Sequence, residues 1–244
     1  MNTDNIQYKF KRHEQKYIVE EQKYIILEKE LKIRCKPDQF ANTTICSIYF
    51  DTPNYYLIRR SLEKPVYKEK LRLRSYGQFS KEDHVFVELK KKYKGVVYKQ
   101  RIDMSVDEAS EYLSEGKRPS EQNQVIKEID RLYNLYGQLK PKMWISSHRT
   151  AWQGIGEDTA LRITFDRDIL WRENQLNLEE GIWGEPIFVH GERIMEIKSP
   201  QALPFWLARL LSELEIYPTS FSKYGTAYKQ SILNKTTNRE GKRC

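Results

Sequence analysis

Val85–Arg101 reads VFVELKKKYKGVVYKQR, and its first half decides how the chain folds. Phe86, Glu88, Lys90 and Lys92 alternate with Val85, Val87 and Leu89. A period of two is that of a strand with one charged and one apolar face. Taken alone, the run Lys90-Lys91-Lys92 is commonly a solvated guard on an edge strand. Only Lys90 is singled out, because parity sets it beside Glu88.

The same alternation recurs over Tyr8–Val19, Thr44–Phe50, Tyr67–Tyr76, Val96–Met104, Met143–Trp152, Ala160–Ile169 and Gly191–Lys198, giving about eight strands. Lys70, Arg72 and Arg74 share a face opposite Leu71 and Leu73. Arg162, Thr164 and Asp166 oppose Leu161, Ile163 and Phe165; Glu196 and Lys198 oppose Met195 and Ile197; Arg12, Glu14 and Lys16 lie together.

Between the strands, Glu20–Ile33 and Glu121–Leu139 carry apolar residues at helical spacing. Ser105 and Glu108 form a capping box ahead of EASEYLSEG, and a helix is expected from about Pro200 to Glu215. Asp51 opens a turn before Pro53. Residues 234–244 lack apolar periodicity and are expected to be a flexible tail after an ordered core of about 8–233.

Two architectures fit so much charge on one strand face. One is an antiparallel sheet with a solvated outer side. The other is a closed eight-stranded antiparallel barrel of α+β class, its charged face inward and its helices on the apolar exterior. Cations lining an interior repel one another and are costly to bury unless anions, water and carboxylates join them. The second architecture therefore implies a polyanionic ligand.

Composition bounds the rest. The 244 residues suit one domain, and 42 Lys and Arg against 34 Asp and Glu give a formal charge of +8. That excess suits nucleic acid, an anionic membrane surface or a phosphorylated small molecule, and only placement ranks them. Sixteen tyrosines and five tryptophans are more than a disordered basic tail would carry and favour a packed fold. Cys35, Cys46 and Cys244 have no metal-ligand spacing, and His13, His84, His148 and His190 have no metal-spaced partner. No signal core and no apolar run of about 18 residues is present, so a cytoplasmic location is expected. The cationic faces of residues 70–74 and 162–166 carry no aromatic stacking platform, which disfavours nucleic acid.

On RHEQKYIV, SIYFDT, EKLRLRSY, VFVELKKK, SSHRTAW, LRITFDRD, IMEIKS and FSKYGTA, in that order, the sequence resembles the VTC domain. This is the polyphosphate polymerase domain of the vacuolar transporter chaperone family, in the CYTH or triphosphate tunnel metalloenzyme superfamily. The resemblance implies an eight-stranded tunnel and carries over Lys16, Arg72, Arg74, Lys90, Arg149, Arg162 and Lys198 as phosphate ligands. Ser222 and Lys223 follow near the mouth. Glu196 matches the metal-binding carboxylate, with Glu14 and Glu88 as further candidates for a Mn²⁺ or Mg²⁺ ion or as partners for the arginines. Two departures are visible: Arg12-His13-Glu14-Gln15-Lys16 stands where hydrolytic members carry Glu-x-Glu-x-Lys, and Ser147 stands where better-known polymerases have tyrosine.

The implied activity is transfer of the γ-phosphoryl group of ATP to a growing polyphosphate chain, which joins two anions and depends on neutralising and aligning them. Arginine forks suit phosphate oxygens and lysines act as point charges. An inorganic triphosphatase would use the same ligands, and a non-catalytic polyphosphate-binding module would keep the cations without needing Glu196.

Overall fold

The structure, a computed structural model, describes residues 13–77, 79–80, 83–119, 123–137, 139–200 and 202–240. The expected start of the first strand, with Arg12, and the start of the helix at Glu121 lie outside the described residues.

The strands are β1 (His13–Val19), β2 (Cys35–Asp51), β3 (Tyr67–Tyr76), β4 (His84–Tyr93), β5 (Val96–Ser105), β6 (Lys140–Gly154), β7 (Arg162–Arg172), β8 (Glu185–Pro186) and β9 (Arg193–Ser199). The helices are α1 (Glu21–Arg34), α2 (Tyr56–Leu62), α3 (Val106–Ser110, continued by a π-type turn), α4 (Gln124–Tyr136), α5 (Phe205–Glu213) and α6 (Lys223–Glu240). The protein is thus α+β. Hydrogen bonding orders the strands β1-β9-β7-β6-β2-β3-β4-β5, with β8 on β7. The closed eight-stranded barrel is corrected in two respects. Among the described residues there are nine strands, β8 being a two-residue addition, and no pairing joins the terminal strands β1 and β5.

The chain divides into two compact units. One comprises the described residues up to 42, with 149–167 and 189–220. In it β9 pairs antiparallel with both β1 and β7, aligning Lys16 with Glu196 and Arg162 with Lys198. The opposite parity, Tyr17, Val19, Ile163, Phe165, Met195 and Ile197, is buried under Tyr24, Leu27 and Leu31 of α1 and Leu207 and Leu211 of α5. Each such side chain contributes about 2 kcal/mol of transfer free energy. The Tyr24 ring meets Phe165 edge-on at 5.0 Å. Lys32 and Arg34 close the last turn of α1, where cations suit the helix dipole.

The other unit comprises 43–148, 168–188 and the described residues from 221. Here β2, β3, β4 and β5 pair in antiparallel succession, so that Arg72 aligns with Glu88 and Glu88 with Arg101. Leu71, Leu73, Val85, Val87, Leu89, Ile102 and Met104 form the buried face, covered by Tyr112 and Leu113 of the π-type turn and Ile126, Ile129 and Leu132 of α4. In this unit the π-type turn and α4 lie on the apolar strand face. The predicted capping box on α3 is present, Ser105 and Glu108 each bonding to the other's backbone N–H.

Two helices escaped the periodicity argument. Asp51 does more than open a turn: its Oδ1 accepts from the backbone N–H of Thr52 and Leu57, each at 2.8 Å, and its Oδ2 from that of Ile58 at 2.9 Å. Thr52 Oγ1 accepts from Tyr56 N–H at 2.8 Å. These bonds meet the donors that a helix leaves open at its start, and so they fix α2. At α6, Ser222 Oγ accepts from Gly225 N–H at 3.2 Å. That helix continues to Glu240, so residues 234–240 of the expected flexible tail are helical; 241–244 lie outside the described residues.

Candidate functional site

The charged strand faces gather the predicted residues into two clusters, one in each unit. In the first unit Glu196 sits between two lysines. Its Oε1 is 2.9 Å from Lys198 Nζ and its Oε2 is 3.6 Å from Lys16 Nζ. Glu14 lies 3.7 Å from Lys16. Burial raises the Glu196 carboxyl, but Lys198, Lys16 and Arg149 outweigh it and hold the group down at about 2. Arg149 forms a two-pronged pair with Asp166, Nε to Oδ1 at 2.6 Å and Nη2 to Oδ2 at 2.8 Å. Arg162 donates to Asp38 at 2.7 Å. Lys16, Arg149, Lys198 and Glu196 thus form one electrostatic group, while Arg162 is drawn to Asp38.

In the second unit the centre is Glu88, 1% exposed. Its Oε2 accepts from Arg72 Nε at 2.6 Å and lies 3.6 Å from Arg74 Nε; its Oε1 is 2.6 Å from Lys99 Nζ. Burial opposes the charged carboxylate, yet the three cations hold Glu88 at about 2. Arg74 is buried, and desolvation followed by the repulsion of Arg72 lowers its affinity for its proton. Lys90 aligns with Lys70 and Lys99 across the three strands. Ser222 accepts from Lys70 Nζ at 2.9 Å, and Lys223 Nζ donates to Ser147 Oγ at 2.5 Å. Thus Ser222 and Lys223 fasten the start of α6 to β3 and β6, Ser222 capping the helix as well.

Two members of this cluster were missed in the sequence. Lys99 was legible, since Lys99, Arg101 and Asp103 alternate against Gln100, Ile102 and Met104 as regularly as the residues of β3 do. Tyr49 was not, because a tyrosine in SIYFDT reads as core. Its ring is buried, but its hydroxyl accepts from Arg72 Nη1 at 3.2 Å.

Chemically, each cluster is an excess of fixed cations around one or two carboxylates. Phosphate oxygens match arginine forks and lysine ammonium groups in charge and geometry. Among the described residues no group of three His, Cys, Asp or Glu could hold a metal by itself. A hard divalent cation bound through one carboxylate plus phosphate oxygens and water still fits Glu196. No described helix is long and apolar enough to cross a membrane.

The comparisons agree with this geometry. The VTC domain family matches residues 11–232. Among solved structures, a candidate adenylate cyclase of Bacillus halodurans shares 17% identity over 86% of this chain and 92% of its own, with a TM-score of 0.53. A candidate adenylyl cyclase of Hippeastrum, described as having a dominant triphosphatase activity, shares 16% identity over 89% and 95%, with a TM-score of 0.51. At such identity these two structures speak for the fold alone. No curated protein sequence matches the chain. A family match over nearly the whole chain shows that the chain belongs to the VTC-domain family.

Proposed function

We propose that this protein is a polyphosphate polymerase, transferring the γ-phosphoryl group of ATP to the end of an inorganic polyphosphate chain. The observation that carries the reading is the engagement of both site carboxylates by cations, Glu88 by Arg72, Arg74 and Lys99 and Glu196 by Lys198 and Lys16. Carboxylates so poised are poor general bases for water. An acceptor phosphate is already ionised near neutral pH and requires none. The cations supply what that transfer does require, which is neutralisation of two anions brought end to end.

Arg72, Arg74, Lys90, Arg149 and Arg162 would bind phosphate oxygens, with Lys16 and Lys198 beside Glu196 and with Ser222 and Lys223 at the start of α6. Glu196 would hold a Mn²⁺ or Mg²⁺ ion, Glu14 being the next carboxylate on the same face. When bound, the ion would neutralise developing charge on the phosphates. Glu88 serves the arginines instead, fixing Arg72 and Arg74 for bidentate contact. The cytosolic ATP pool is the proposed donor source.

An inorganic triphosphatase is the second reading, favoured by the activity described for the Hippeastrum neighbour. A time course with purified protein, ATP and Mn²⁺, resolving long-chain polyphosphate from orthophosphate, separates the two. Chains formed together with ADP, and lost in Glu196→Gln, support the polymerase. Orthophosphate alone from ATP or tripolyphosphate establishes the hydrolase. Tight tripolyphosphate binding without turnover leaves a binding module.

A further inference from the structure

We propose that the Tyr49 hydroxyl is itself a phosphate ligand, donating its proton to an oxygen of a bound triphosphate. The inference rests on the reading of Arg72 and Arg74 as phosphate ligands. Tyr49 is 7% exposed, and among the described residues its hydroxyl has a single hydrogen bond, in which it accepts from Arg72 Nη1. Among the described residues no protein group therefore accepts its proton.

The groups packed around it explain why. From β3 come Lys70, Arg72 and Arg74, all cations. From α6, the Tyr224 ring stacks on the Tyr49 ring with centroids 4.6 Å apart, and the Tyr224 hydroxyl is donated to Asp51 Oδ2 at 2.9 Å. The next residue back on α6, Lys223, is bonded to Ser147. The part of β6 in this unit, which neighbours β2 in the sheet, carries Lys140, Lys142 and His148 and no acidic residue. Glu88 of β4 is taken up by Arg72, Arg74 and Lys99. Asp51, on the same strand as Tyr49, is occupied by the N–H groups that open α2.

A buried donor ringed by donors can be relieved in two ways. It can ionise, or it can gain an anionic acceptor. Burial alone would raise the phenol, but Arg72, Arg74 and Lys70 bring it down to about 8, so without ligand it ionises close to the working pH. Bound phosphate adds negative charge beside the hydroxyl and disfavours the phenolate. The oxygen then regains a proton from solvent and donates it to the phosphate while still accepting from Arg72. Triphosphate binding is thereby coupled to uptake of one proton near pH 8.

The test is a pH titration of tyrosinate absorbance on wild-type protein and Tyr49→Phe, each with and without tripolyphosphate, paired with calorimetric tripolyphosphate binding in buffers of different ionisation enthalpy. The expected result is one tyrosine of the free wild type ionising near pH 8, absent from Tyr49→Phe and moved upward by tripolyphosphate. Binding should take up a proton in the wild type only, and Tyr49→Phe should bind roughly tenfold more weakly. If tripolyphosphate binds the wild type while leaving the low tyrosine titration in place, or binds Tyr49→Phe with equal affinity, the assignment of Tyr49 is overturned. If it binds neither protein, the reading of the cations as a phosphate site fails, and this inference with it. The wild-type titration needs no variant, so misfolding of Tyr49→Phe could not mask the outcome.

Discussion

Arg149 and Asp166 meet fork to fork, with both carboxylate oxygens bonded to one guanidinium at 2.6 and 2.8 Å. A carboxylate in this position makes the two parallel contacts that a phosphate would make. Asp166 therefore both aims Arg149 and competes for it. In Asp166→Asn the negative charge disappears while one acceptor oxygen remains. Tripolyphosphate should bind several-fold more tightly at low salt, because a repelling charge a few ångströms away is removed. Turnover should fall, because the fork is no longer held in one orientation. Calorimetry and steady-state kinetics on the same variant would show the two parameters moving in opposite directions.

Glu88 holds Arg72, Arg74 and Lys99 together in a buried setting. Glu88→Gln leaves three cations facing one another without a counter-charge, a loss of order 3 kcal/mol. Thermal unfolding should show a lowered midpoint. Tripolyphosphate should restore more of the loss in the variant than it adds to the wild type, since the anion replaces the missing charge.

Acid should unfold this protein through the same carboxylates. Glu88 and Glu196 are held at about 2 in the folded state, below the roughly 4.3 of an unfolded glutamate. Both groups bind protons more readily when unfolded, so their contribution is complete above about pH 4.5 and is lost as pH falls towards 2. Urea midpoints measured across that range should drop steeply in the wild type. Glu88→Gln and Glu196→Gln should each flatten the slope.

Arg172 organises the segment that follows β7. It is 3% exposed and donates to the carbonyl oxygens of Gln175, Asn177, Gly181 and Trp183 at 2.9 to 3.2 Å. Its guanidinium also lies over the rings of Trp144, at 3.7 Å, and Trp183, at 4.6 Å. Nearby, Gly184 has a φ of +151°, and a Cβ there would stand 2.4 Å from the Trp171 carbonyl oxygen. Arg172→Met keeps the apolar stem but leaves four carbonyls without their donor. It should cost about 3 kcal/mol and open residues 173–188 to limited proteolysis before global unfolding.

What the sequence determined by itself is local. Period-two alternation located the eight principal strands, because the pleat sends successive side chains to opposite faces whatever the strand packs against. It also sorted Arg72 from Leu71, and Glu196 from Ile197, onto opposite faces. Capping chemistry found the start of α3, but the same chemistry at Asp51 and Ser222 passed unread. The acceptors there serve helices too weakly amphipathic, or too short, to announce themselves.

What only the tertiary structure decided is which charges meet. Glu69 shares its parity with Leu71 and Leu73, yet it is buried because the hydroxyls of Tyr67 and Tyr136 and the guanidinium of Arg131 converge on it from 2, 67 and 62 residues away along the chain. Arg162 lies 124 residues from Asp38, and Tyr224 173 residues from Asp51. Parity names a face, but the partners on that face come from strand order and register. Those are set by the packing of the whole buried surface, which no single stretch of sequence contains.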